Sequence, residues 1–182
     1  MNTKRIALLA LFAILLISCK NEKSAEDLKV VESEFIDKSF KVAFEVVAQK
    51  EDDFALLYTL DGSINFYTIP AIWQHFKGSN DAQEVSFVIP ESDIPTQLRI
   101  DLGLKQDQPN IKIKSFKLMY QDKTFEAKGA DVFKYFRADE NQCKVDIGTG
   151  EVIANVKDGK RLTPSLYPIE AELSKQISLL VK

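Results

Sequence analysis

Phe40-Lys41-Val42-Ala43-Phe44-Glu45-Val46-Val47 decides the fold, because its bulky apolar residues recur at every second position. On an extended chain Phe40, Val42, Phe44 and Val46 point one way and Lys41, Ala43, Glu45 and Val47 the other, the pattern of a strand with one well-buried face. The same alternation returns on the C-terminal side. Asp52-Asp53 is a plausible turn, and residues 54–59 continue as an apolar, aromatic-bearing strand. Asp61-Gly62 favours a tight turn needing positive φ, so the flanking segments 54–60 and 64–69 read as a β-hairpin. Pro70 stops that strand, and Gly78-Ser79-Asn80-Asp81 turns the chain again.

Val85, Phe87 and Ile89 then alternate up to Pro90. Leu98, Ile100 and Leu102 oppose Gln97, Arg99 and Asp101 in an amphipathic strand closed by Gly103. After a loop over residues 106–110, Ile111 and Ile113 share a face, whereas Phe116, Leu118 and Tyr120 lie on the opposite parity. The phase slips near Ser115, and a β-bulge there would re-aim the side chains without ending the strand. Gln121-Asp122-Lys123 can close a hairpin into residues 124–127, and residues 131–136 suit a short helix or strand. Val145 and Ile147, then Val152, Ile153 and Val156, are strand candidates around Gly148-Thr149-Gly150. Ile169, Leu173, Ile177 and Leu180 have helical spacing with Pro168 near the first turn, yet residues 177–181 also suit a closing strand. Residues 168–181 therefore stay open between helix and strand.

About eight strands separated by turn signals, without regular helix–strand alternation, predict an all-β fold over residues 39–182. We expect an antiparallel β-sandwich of the jelly-roll type, with a lipocalin-like barrel as the main rival.

Residues 1–38 read differently. Lys4 and Arg5 precede twelve uncharged residues, Ile6 to Ile17, the length of a signal-peptide h-region and short of the about 20 needed to span a bilayer. Leu16-Ile17-Ser18-Cys19 closes that run and resembles the lipobox of bacterial lipoproteins. The resemblance implies that residues 1–18 are a signal peptide removed before Cys19. It also implies that Cys19 carries a diacylglycerol on its thiol and a palmitate-type acyl chain on its amine. Residues 19–38 are then a tether, polar from Lys20 to Asp27. Lys20, where an Asp would retain such a protein in the inner membrane, implies delivery to the outer membrane. The tether acids Glu22, Glu26 and Asp27 leave open which side of that membrane the domain faces.

The chain has 24 basic and 27 acidic residues, a net charge of −3. Removing Lys4 and Arg5 with the leader leaves 22 basic groups against the same 27 acids, a balance of −5. That argues against nucleic acid, whose binding depends on clustered basic groups. With Cys19 used for lipid, Cys143 has no partner, so a core and no disulfide must hold the fold. We expect Cys143 to be a small buried hydrophobe.

No catalytic residue, metal ligand or cofactor is expected. His75 is the sole histidine, the spacings of zinc sites are absent, and no Gly-Xaa-Ser-Xaa-Gly elbow, phosphate loop or dinucleotide fingerprint occurs. Asp53, Glu91, Asp93, Asp101 and Asp146 allow carboxylate pairs to be drawn, as any acid-rich surface does. The oxygen-rich stretches 91–93 and 107–110 lack the spacing of a recognised calcium loop. Binding is better supported. Arg99 and Asp101 share one face of their strand, where they can pair with each other or meet a polar ligand. Tyr67 and Trp73 flank Pro70 in an expected loop and are the aromatics best placed to stack on a sugar ring.

Leu98-Arg99-Ile100-Asp101-Leu102-Gly103, followed by a polar loop and Ile111-Lys112-Ile113-Lys114-Ser115-Phe116-Lys117-Leu118, resembles part of bacterial jelly-roll domains found on envelope proteins and beside membrane glycosyltransferases. Such domains are similar to galactose-binding-like sandwiches, which implies a sandwich fold and carbohydrate as a ligand class. The expected function is a lipid-anchored, non-catalytic binding or accessory protein of the cell envelope, with glycan or polysaccharide as ligand. The alternative is an assembly partner that docks another envelope protein, and a glycan-active enzyme stands third.

Overall fold

The structure, a computed structural model, describes residues 37–182. In chain order the strands are β1 (Phe40–Val47), β2 (Asp52–Thr59), β3 (Ile72–Phe76), β4 (Gln83–Ile89), β5 (Gln97–Leu102), β6 (Ile111–Tyr120) and β7 (Lys123–Lys128). A 3-10 turn over Gly129–Lys134 leads into β8 (Phe136–Ala138), β9 (Cys143–Asp146) and β10 (Glu151–Ala154). The two-residue strands β11 (Val156–Lys157) and β12 (Lys160–Arg161), β13 (Ser165–Pro168) and the helix α1 (Glu170–Leu180) follow.

Two antiparallel sheets pack as a sandwich. One runs β4-β1-β6-β10-β9, with β7 also paired to β6, and the other runs β3-β2-β5-β13-β8. The alternation in the sequence is what makes this possible, since each strand turns one face to the partner sheet. Phe40, Val42, Phe44 and Val46 are fully buried between the sheets, as are Leu98, Ile100 and Leu102 from the opposite layer. Phe44, Phe116 and Phe136 form an aromatic centre with ring separations of 5.9, 5.7 and 5.1 Å.

The bulge falls where the phase slip predicts it. Glu45 pairs with Ser115 but Val46 pairs with Ile113, so Lys114 has no partner residue on β1. Ile113 and Phe116 are both buried on either side of it. The extra residue turns both apolar sets inward within one strand.

Two expectations need correcting. Residues 64–69 are not a strand; β2 pairs instead with β3, and a long loop joins them. Asp61 accepts a hydrogen bond from the Ser63 N–H at 3.0 Å and Gly62 has φ +81°, so the Asp-Gly pair makes a local turn inside that loop and not the hairpin bend. Asp52, read as a turn residue, lies in β2 and is fully buried. Its carboxylate accepts from the backbone N–H groups of Asp53, Leu104 and Lys105 and from the Gln108 side-chain amide, at 2.8 to 3.2 Å. The β5–β6 loop is thus wrapped around a buried acid. Gly103 sits against it with φ +74°, where an added Cβ would come within 2.8 Å of Asp52 Oδ2.

The open question over residues 168–181 resolves in favour of the helix: residues 177–180 lie within α1, and no closing strand forms there. Pro168 ends β13, and α1 buries Leu173, Ile177 and Leu180 against β5 of one sheet and β6 and β7 of the other. No described helix is long and apolar enough to cross a membrane.

Tyr58 gives the sandwich a pH-dependent contact. Its hydroxyl donates to Asp93 Oδ2 at 2.6 Å, and burial, then the Asp93 carboxylate, push the phenol up to about 12. A phenol held neutral in the fold contributes stability that is complete below its ordinary value near 10 and lost as pH rises towards 12. Denaturation of the Tyr58→Phe variant should therefore show a shallower loss of stability over that window than the unaltered chain. Parallel curves would contradict this.

Candidate functional site

The outer face of the five-stranded sheet collects the residues singled out for binding. β5 places Leu98, Ile100 and Leu102 in the core, so Arg99 and Asp101 must face outward. Cross-strand register sets Trp73, Ala55, Asp101 and Ser165 in one row, and Leu57 and Arg99 in the next. Arg137 registers with Tyr167 at the far edge of the same sheet.

Arg99 is the hub. Its Nε and Nη2 donate to the two carboxylate oxygens of Asp101 at 2.8 and 3.0 Å, a paired arrangement that fixes both side chains. Nη1 donates to the Tyr167 hydroxyl at 2.8 Å and Nη2 to Ser165 Oγ at 3.2 Å. The guanidinium of Arg99 also lies 4.7 Å from the centre of the Tyr167 ring, and that of Arg137 5.6 Å from it. Burial pulls the Arg99 guanidinium down, but the hydrogen bonds and charge of Asp101, then Tyr167 and Tyr67, hold it above its ordinary value. Tyr167 is pushed up by burial, against the opposing effect of Arg99.

The β2–β3 loop adds a second layer. Thr59 Oγ1 donates to the Ser63 carbonyl at 2.7 Å, and the Gly62 N–H donates to Thr96 Oγ1 at 2.9 Å, which ties the loop down. Phe66 is buried edge-on against Tyr167 at 5.8 Å, whereas the next residue, Tyr67, is 87% exposed. Phe66 and Tyr67 lie in a turn of the loop, which anchors one ring beneath and presents the next above.

No protein-family model matches the chain, and no match is found among curated proteins or solved structures.

Of the four residues expected to bind, Tyr67, Arg99 and Asp101 come together, and Trp73 lies on the same face, on the edge strand β3 and not in a loop. Trp73 is 56% exposed. Two participants, Tyr167 and Arg137, were not visible in the sequence. Phe66, Tyr167 and Arg137 reach the site only through loop closure and strand order. The one available signal was the outward parity of Tyr167 in Ser165-Leu166-Tyr167. Arg99 and Asp101 neutralise each other, while Tyr67 and Trp73 offer exposed ring faces.

The remaining candidates lie elsewhere. His75, on β3, pairs with Asp53 at 3.0 Å, both well exposed. Cys143 is buried, with its thiol directed to the Ser165 carbonyl at 3.4 Å, and burial pushes its pKa up. Among the described residues no group of three or more His, Cys, Asp or Glu is arranged to hold a metal. Cys19 lies outside the described residues.

Proposed function

We propose that this chain is a lipid-anchored, non-catalytic binding protein of the bacterial cell envelope that holds a glycan on the outer face of its five-stranded sheet. The observation that carries the ligand is the solvent-facing ring of Tyr67 beside the Arg99–Asp101–Tyr167 cluster, with Trp73 exposed on the same face. Sugars stack C–H faces on such rings, and phenol and guanidinium groups supply hydrogen bonds to hydroxyls. The anchor reading rests on Leu16-Ile17-Ser18-Cys19 after an uncharged run. Cys19 then attaches the protein to the outer membrane through lipid, and residues 20–38 hold the domain away from it.

The jelly-roll reading belongs to the same proposal. It is supported by the strand order, in which β10-β6-β1-β4 faces β13-β5-β2-β3 and most connections pass from one sheet to the other.

The test has two arms on the full chain. Labelled palmitate should be incorporated in a bacterial host and should disappear with Cys19→Ala; persistent or absent labelling rejects the anchor. On a glycan array, saturable binding to at least one sugar is expected, weakened about tenfold by Tyr67→Ala or Trp73→Ala, the 1–2 kcal/mol of a stacking contact. An array with no bound sugar ends the glycan reading.

A further inference from the structure

The two sheets do not close equally at both sides. β8 is the edge strand of one sheet and β9 of the other. Between them and the 3-10 turn lies a cleft of about 570 Å³, within the range of small-molecule sites. Each lip follows the period of its strand. Phe136 and Ala138 from β8, and Cys143 and Val145 from β9, turn towards the sandwich interior, and Phe133 and Ile147 complete an apolar lining. The alternate positions are Arg137 on one lip and Lys144 on the other. The cleft thus lies at the surface over the buried Phe136 and Cys143, with a cation on each lip.

The two cations differ in how far they are engaged. Among the described residues Lys144 makes no ion pair, whereas Arg137 meets Glu170 at 4.0 Å and the Tyr167 ring at 5.6 Å. On the lining itself Arg137 and Lys144 stand against one acid, Glu140, and Lys144 is the cation with no carboxylate paired to it among the described residues. An apolar slot with a cationic mouth matches a ligand with an apolar body and an anionic head. A sugar suits it poorly, because its hydroxyls would meet few partners among Phe133, Phe136, Val145 and Ile147.

We propose that the cleft between β8 and β9 binds a fatty-acid anion, its carboxylate between Arg137 and Lys144 and its chain against the apolar lining. The inference does not depend on the glycan reading, which uses Tyr67 and Trp73 on the adjoining face, although Arg137 borders both, its guanidinium lying 5.6 Å from the Tyr167 ring.

The experiment is photolabelling of the full chain in membranes with a dodecanoate probe carrying a terminal diazirine, beside an otherwise identical probe with an ammonium head. Adducts mapped by mass spectrometry should concentrate within residues 133–147 for the carboxylate probe. They should fall about fivefold with the ammonium head and again with Lys144→Glu, the effect of one partly exposed charge contact. Ile147→Trp, which fills the slot without altering charge, should also lower them, and Trp73→Ala should not. Labelling spread along the chain, equal labelling by both heads, or indifference to Lys144→Glu and Ile147→Trp overturns the proposal. A slot that takes a peptide strand instead gives no labelling at 133–147, which overturns it as well.

Discussion

Asp52→Ala is expected to cost about 3–5 kcal/mol of folding stability, the range for removing one partner from a buried charged network. The carboxylate is fully buried and is the shared acceptor for Asp53, Leu104, Lys105 and Gln108. Truncation takes the acceptor away from the Leu104 and Lys105 N–H groups, while Gln108 keeps its bond to the Lys50 carbonyl at 2.9 Å, and each unpaired group that stays buried carries a penalty of about 1–3 kcal/mol before the loop relaxes. The damage should reach β12, because Arg161 Nη1 donates to the Gly103 carbonyl at 3.0 Å and Asp52 supports its charge against the downward pull of burial. Asp52→Asn should be milder, as it keeps the volume and one acceptor oxygen. Urea denaturation of both variants decides the matter. A midpoint for Asp52→Ala within error of the unaltered chain would show that the loop does not depend on this acid.

Phe116→Ala should destabilise by a similar amount, about 3–5 kcal/mol, for a different reason. Phe116 is fully buried and touches the rings of Phe44, Phe125, Tyr135 and Phe136, at 5.9, 5.8, 5.6 and 5.1 Å. These neighbours come from β1, β7, the end of the 3-10 turn and β8, so no single element can move in to fill the void. For a domain of this size the thermal midpoint should fall by roughly 10 °C. Val88→Ala is the control, since Val88 is 54% exposed on β4 and its change should stay within about 0.5 kcal/mol. Equal shifts for the two variants would mean that the aromatic centre is not where the stability resides.

Period-2 patterning made the sandwich legible, because a strand with one buried face writes its orientation into neighbouring residues. Phe40 to Val46 and Leu98 to Leu102 are the clearest examples, and even the bulge at Lys114 showed as a change of parity. Asp52 was hidden for a physical reason. A carboxylate beside another carboxylate reads as solvated, and only a loop 52 residues away, folding its N–H groups back, makes burial tolerable. The Asp-Gly pair misled because the same local geometry serves a hairpin bend and a turn within a loop. At the site, Arg99 and Asp101 were legible as an i, i+2 pair. Their link to Tyr167 depends on β13 lying beside β5, a choice of strand order that local sequence does not encode.

That strand order also bears on how the chain folds as it emerges N-terminus first. β1 sits inside its sheet with β4 and β6 as neighbours, while β2, the next strand made, belongs to the other layer. Residues 40–47 therefore have no sheet partner until residues 83–89 emerge, and lack the second until residues 111–120 do. Until then Phe40, Val42, Phe44 and Val46 form an uncovered apolar face on a strand whose two edges are unpaired, the condition under which chaperone capture or aggregation competes with folding.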